Sequence, residues 1–290
     1  MSRKKQDYGY DNFDDGADEN EREKKGSAWR AVTAIILIIA LAVFGFAAYN
    51  LYKIYTNYKV GTDEYDNLKQ YVATTDSAAS DAGTGFDVGE VDFASLQAVN
   101  PDVAAWIRFP NPDIIDYPVV YSSDNSYYLK HTFDGTANSS GAIFMDMNNK
   151  RDFSDPNVIL YGHAMKNKSM FGSLKQFRDQ EFCAENSYFF IYTPDGGVYQ
   201  YQICAVYEAA DTSDSYTVSF GTAGEYRNYL ETIKSRSFFD TGAALSDTSR
   251  LVTLSTCTNV TESGRLLVQG VRVAVIRQAS PAVPELSLPQ

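Results

Sequence analysis

Histidine, cysteine and tryptophan are scarce in this chain: two His, three Cys and two Trp among 290 residues. The histidines, His131 and His163, are far apart, and no two cysteines have CxxC spacing, so a zinc site has no ligand set to build on. Neither standard Gly-rich phosphate loop is present. Basic residues are also short, 25 against 37 acidic, for a net charge of −12. A chain of that sign repels phosphate backbones, which argues against nucleic acid as a partner. No internal repeat is visible. What is plentiful is Tyr (21) and Phe (17), a bias that suits strands, where aromatic and β-branched side chains pack well.

Charge is absent from Ala31 to Tyr49, a run dominated by Ala, Ile, Leu, Val and Phe. As a helix this run would extend about 28 Å, close to the thickness of bilayer hydrocarbon. Trp29 and Tyr49 stand at its ends, where amphipathic rings favour the membrane interface. Arg22, Lys24, Lys25 and Arg30 precede it and only Lys53 follows closely, so the positive-inside bias places the N-terminus in the cytoplasm and the larger C-terminal part outside. A cleaved signal peptide ranks second. Gly45, Phe46 and Ala47 loosely resemble a small-x-small site, but the stretch is long for such a segment and begins well inside the chain. A buried core helix ranks third, since the run is long and no face carries a charged residue.

The organisation expected is therefore a disordered cytoplasmic tail over 1–28, a transmembrane anchor over 29–50, a juxtamembrane helix and flexible linker over 51–90, a compact domain over 91–278 and a Pro-containing tail over 279–290. Strand signals dominate the domain. Val158 to Tyr161 is a short apolar run. Tyr188 to Tyr192 and Val198 to Tyr207 flank Pro194-Asp-Gly-Gly197, a hairpin signal. Leu251 to Thr256 and Leu266 to Ile276 read as the last strands. In Gly224 to Arg236, Tyr226, Tyr229, Leu230 and Ile233 fall at i, i+3, i+4 and i+7, which predicts a helix. Asp92 can cap a shorter helix through Val99. Many short strands with one or two inserted helices point to a mainly β barrel or sandwich.

Three cysteines is an odd number for an extracellular domain. Cys183 and Cys204 sit in apolar contexts and read as small buried hydrophobes, although a disulfide between them remains open. Cys257 ends the strand Leu251 to Thr256 and opens a polar loop, which holds a sulfur rigidly yet leaves it accessible. His163 likewise follows a strand, with Gly162 allowing an unusual backbone angle before it; His131 reads as an ordinary surface or satisfied-core residue. Arg265 opens the final strand and would face Cys257 if the last two strands pair antiparallel, while Arg272 alternates to the other face as a surface charge. Taken singly, each of Cys257, His163 and Arg265 is better read as structural. Taken together they suit acyl transfer: a thiolate nucleophile, an imidazole that accepts a proton and returns it to a leaving amine, and a guanidinium that stabilises an oxyanion.

Thr253-Leu-Ser-Thr-Cys257 matches the sortase signature Thr-Leu-x-Thr-Cys, Tyr161-Gly-His163 matches the segment around the sortase histidine, and Gly264-Arg265-Leu266 supplies an arginine on the following strand. Over roughly Val91 to Arg277 the chain thus resembles the sortase family. Class B is indicated by Asp124-Asn-Ser-Tyr-Tyr-Leu129 and by a helix at Gly224 to Arg236, between the sixth and seventh strands. One departure is Thr258, where some class B members carry an acid. The resemblance implies an eight-stranded β-barrel with N-terminal helices and an inserted helix between late strands, preceded by one transmembrane helix. It implies catalytic His163, Cys257 and Arg265, with a substrate groove lined by Asn125, Leu129, Tyr161, Thr212, Tyr216, Ser255 and Thr258. It also implies a reaction. Cys257 cleaves a C-terminal sorting motif of surface proteins after Thr through a thioester, and a peptidoglycan precursor or stem-peptide amine resolves it, with no metal or organic cofactor. A secreted cysteine peptidase or amidase, a pilin polymerase and a non-catalytic surface-binding module are the alternatives.

Overall fold

The computed structural model describes residues 16–73, 88–110, 113–258 and 263–277. The chain divides into two compact units, one ending at Thr56 and the other beginning at Asn57. In the first unit the described residues belong to helix α1 (Gly16–Leu68). From Val32 to Val60 its Ile, Leu, Val and Phe side chains stand exposed, and it is long and apolar enough to cross a membrane. Helix already begins at Gly16, so residues 16–28, expected within a disordered tail, are helical. Residues 1–15 of that tail, most of the linker and the tail over 279–290 lie outside the described residues.

In the second unit a 3₁₀ turn follows α1, and the short strands β1 (Val72–Ala73) and β2 (Glu90–Val91) pair antiparallel. Helix α2 (Phe93–Val99) starts where expected, with Asp92 Oδ1 accepting from the Ser95 N–H at 3.0 Å, a side-chain N-cap. The barrel strands are β3 (Val103–Pro110), β4 (Asp113–Tyr121), β5 (Ile143–Met145), β6 (Asn157–Tyr161), β7 (Tyr188–Tyr192), β8 (Val198–Ala210), β9 (Leu251–Cys257) and β10 (Gly264–Arg277). They close in the order β10-β8-β7-β3-β4-β5-β6-β9. Closure removes the unpaired edges that an open sheet would expose. Helix α3 (Gln180–Glu185) precedes β7, and α4 (Ala223–Arg236) is inserted between the sixth and seventh barrel strands. Tyr226, Tyr229, Leu230 and Ile233 are the buried residues of α4, the stripe its spacing predicts.

The barrel interior is apolar and aromatic, with Trp106, Phe109, Phe144, Phe189 and Phe190 all at most 2 % exposed. Cys183, on α3, and Cys204, on β8, are buried free thiols, so no disulfide joins them. The unit also reaches further back than the expected boundary at residue 91. Tyr65 and Leu68, at the end of α1, are buried in the core, and the Tyr65 hydroxyl donates to the Gly141 carbonyl at 2.7 Å.

A buried polar cluster ties the late elements together. Asn157 of β6 is fully buried. Its Oδ1 accepts from Thr253 Oγ1 of β9 at 2.7 Å, and its Nδ2 lies 3.0 Å from both the Tyr229 hydroxyl of α4 and the Thr217 carbonyl. Gln269 of β10 donates to Tyr229 and to Thr253. Such networks fix geometry because any lost member leaves a buried polar group unpaired. Asn157→Ala is expected to lower unfolding free energy by about 3 kcal/mol through those orphaned partners, read as a lower urea midpoint at unchanged slope.

Candidate active site

Strand β9 lies between β6 and β10, and its two pairings assemble the site. Parallel pairing sets Tyr161 beside Ser255; antiparallel pairing sets Arg265 opposite Cys257. The chain leaves β6 at Tyr161, so His163 emerges two residues past the strand end, beside the end of β9 that carries Cys257. Together with Asn125, Leu129, Tyr216 and Ser255, these residues line one open cleft of about 250 Å³.

The histidine is held from two sides. Asp124 accepts hydrogen bonds from the Ser126 hydroxyl and from the Ser126 and Tyr127 N–H groups, and these bonds hold its carboxyl below the usual range. This turn starts the 3₁₀ segment Tyr127–Leu129, whose last carbonyl, that of Leu129, lies 2.7 Å from His163 Nε2. A carbonyl can only accept, so Nε2 carries the proton and Nδ1 of the neutral ring is the basic nitrogen. Gly141 backs the ring at φ +58°, and a Cβ there would lie 3.1 Å from His163 Cδ2 and 2.5 Å from the Tyr128 carbonyl. Gly162 is needed for space rather than for an unusual backbone angle: a Cβ would meet the Phe171 ring at 2.7 Å.

Cys257 is partly exposed, unlike the other two cysteines. Burial pushes the Cys183 thiol up to about 11 and the Cys204 thiol up to about 12, which keeps both protonated and inert. Arg265 donates to Asp211 Oδ2 at 3.0 Å and to the Gly264 carbonyl at 3.1 Å. With the Arg265 and Asp211 side chains 23 % and 40 % exposed, this ion pair adds at most about 1 kcal/mol to stability; its effect is to orient the guanidinium.

Part of the cleft lining is aromatic. The Tyr161 and Tyr216 rings stack at 6.1 Å, and Tyr216 Oη is 2.8 Å from Ser255 Oγ. Burial raises both phenols above their ordinary range, with Asp146 adding to the effect at Tyr161, so both stay neutral hydrogen-bonding groups.

Two expected groove residues fall elsewhere. Thr258 is buried at 6 % exposure and its N–H donates to the Gly264 carbonyl; as the neighbour of Cys257 it takes the other face of the extended chain. Thr212 is exposed and does not line the cleft, whereas Asp211, which sequence reasoning passed over, does. Phe144 on β5 was also missed, since nothing local distinguishes it from a core aromatic. His131 stacks on Tyr127 at 4.0 Å, away from the cleft lining. Arg272 lies over the Tyr199 ring at 5.0 Å rather than standing as a plain surface charge. Among the described residues no group of three or more His, Cys, Asp or Glu could hold a metal.

A cleft with a partly exposed thiol, a tautomerically fixed imidazole nearby and an anchored guanidinium across the strand pair can perform acyl transfer. Comparisons with known proteins agree. A sequence model described as the Sortase domain matches residues 107–273. Sortase B of Listeria monocytogenes is 34 % identical over 228 residues, covering 75 % of this chain and 90 % of the relative. The crystal structure of Clostridium perfringens sortase B is similar at TM-score 0.59 and 32 % identity, covering 63 % of this chain and 100 % of that one. That of Bacillus anthracis sortase B, in complex with AAEK1, reaches TM-score 0.64 at 30 % identity, covering 76 % and 99 %.

Alkylation separates the three thiols. Iodoacetamide on the native protein is expected to modify Cys257 and spare Cys183 and Cys204, with all three modified in urea, as read by peptide mass spectrometry.

Proposed function

The chain belongs to the sortase family, class B, and from that premise we propose that Cys257, His163 and Arg265 carry its reaction at the mouth of the cleft. Sortase B-type acyl transfer at a C-terminal sorting motif is the activity of the protein. In the proposed assignment, Cys257 attacks the carbonyl carbon of the motif's Thr, and Arg265 stabilises the oxyanion of the tetrahedral intermediate. His163 takes the thiol proton on Nδ1 and returns it to the departing amine. A thioester remains on Cys257. An amine of a peptidoglycan precursor or stem peptide then attacks that thioester, His163 accepting its proton, and the thiol is regenerated. The observation that carries the assignment is the register of β9 against β10, which sets Arg265 directly opposite Cys257.

The groove side chains proposed to hold the motif are Asn125, Leu129, Tyr161, Tyr216 and Ser255, all at the cleft. Thr212 and Thr258 are left outside that role. For the remainder of the chain, the exposed apolar part of α1 supports a single-pass membrane anchor at about 29–50, with a cytoplasmic N-terminus and an extracellular catalytic domain up to residue 278. The flanking Arg and Lys residues are the basis for that orientation. The partners are surface proteins bearing the motif.

Full-length protein in detergent, given a library of Thr-containing peptides with and without hydroxylamine as amine acceptor, is expected to release the C-terminal fragment and form the hydroxamate. Fragment release with no hydroxamate would mark a peptidase instead. Arg265→Ala is expected to reduce kcat/KM by about 10²–10³-fold, the size of a lost oxyanion donor, with an unchanged circular dichroism spectrum. Near-normal turnover of that variant would remove the role given to Arg265.

A further inference from the structure

Asp146 immediately follows β5 and does not touch the cleft, yet two cleft residues terminate on it. It is 6 % exposed. Its Oδ2 accepts from Asn125 Nδ2 at 2.9 Å and from the Tyr161 hydroxyl at 2.8 Å. Its Oδ1 accepts from the backbone N–H and the side-chain amide of Asn148 at 2.8 and 2.9 Å. The carboxylate thus accepts four hydrogen bonds, two on each oxygen.

The consequence falls on Asn125. Its Oδ1 accepts from the Met147 N–H at 2.8 Å, while Nδ2 gives one of its two hydrogens to Asp146. The amide is therefore locked in one orientation, because a half-turn would set its Nδ2 against the Met147 N–H and its Oδ1 against the carboxylate. An amide locked in this sense offers the cleft an N–H donor. Tyr161 is fixed by the same oxygen: its hydroxyl proton is committed to Asp146, and its ring lies against Tyr216.

We propose that Asp146 is a positioning residue for substrate recognition, holding Asn125 and Tyr161 so that the groove presents one carboxamide N–H and a fixed aromatic face to the sorting-motif backbone or to a side-chain oxygen of the motif. This rests on the groove reading above and deepens it. The substrate class it selects is a peptide that places a hydrogen-bond acceptor, not a donor, at Asn125. Asp146 acts on binding and not on the thiol, since its bonds run to the groove wall and none to Cys257, His163 or Arg265.

A double-mutant cycle tests this, using the peptide best cleaved by the unaltered enzyme. Binding is measured as fluorescence anisotropy of the labelled peptide on the full-length Cys257→Ala protein. In that background Asp146→Asn is expected to weaken binding about tenfold, since a carboxamide has one acceptor oxygen where the carboxylate uses two. Asn125→Ala is expected to weaken it comparably, and the two together little more than either alone. Asp146→Ala, compared by thermal midpoint, separates lost folding from lost positioning. In the enzyme with Cys257 intact, Asp146→Asn is expected to raise KM with kcat within about threefold and to leave the iodoacetamide rate at Cys257 unchanged. Multiplying effects in the cycle, or unchanged binding in either single variant, would overturn the role of Asp146. Absence of turnover by the unaltered enzyme is a separate result, and it would retire the assignment of Cys257.

Discussion

The pairing of β9 with its two neighbours is the constraint on which the site depends. Cys257, His163 and Arg265 are distant in sequence and come from three strands or strand ends. They meet because Tyr161 pairs with Ser255 on one side of β9 and Arg265 with Cys257 on the other. Strand side chains alternate between faces, so a slip of one residue in either ladder would turn the relevant side chain away from the cleft. The buried polar cluster opposes such a slip. Asn157, Thr253 and Gln269 lie on β6, β9 and β10, and their mutual hydrogen bonds exist only in the observed register.

The charges around the cleft are already partnered within the protein. Asp211 is bound by Arg265, and Asp146 by Asn125, Asn148 and Tyr161. An acidic chain thus builds a groove whose polar groups are chiefly neutral amides, hydroxyls and phenols with the guanidinium at one end. Fixed dipoles of this kind need no reorganisation when charge develops on a substrate oxygen, which is where electrostatic catalysis gains its advantage over water.

Much of the fold was legible because its signals are local. The Pro194 to Gly197 turn joined β7 and β8 as expected, Asp92 capped α2, and the stripe on α4 is the face it buries. Cys257, His163 and Arg265 stand out for another reason: each sits at or just past a strand end, where sequence marks the change from apolar run to polar loop, and the three line one cleft. What escaped reading is non-local. Asp146 looks like any acid before a polar turn, and its importance lies in partners far from it along the chain. Thr212 was carried into the groove by the family resemblance, whereas the neighbouring Asp211 lines the cleft; a turn after a long strand has no periodicity from which to assign facing. Thr258 followed the motif in sequence but, one residue beyond Cys257, alternation carries it to the buried side.

The boundary at residue 91 failed for a physical reason that bears on the histidine. Composition separates α1 from the barrel by a polar, small-residue stretch, and such a stretch reads as the edge of a domain. Yet the end of α1 supplies Tyr65, whose ring packs edge-on against Tyr117 and whose hydroxyl holds the Gly141 carbonyl. Gly141 in turn lies against the His163 ring, in a left-handed conformation that a side chain would disfavour. Two successive contacts therefore connect the last turns of α1 to His163. A truncation at the compositional boundary would keep every barrel strand and every motif, but it would remove the hydroxyl that fixes the loop behind the imidazole. The functional unit is thus longer than the motifs that identify it, because the placement of His163 depends on a helix whose sequence resembles a stalk.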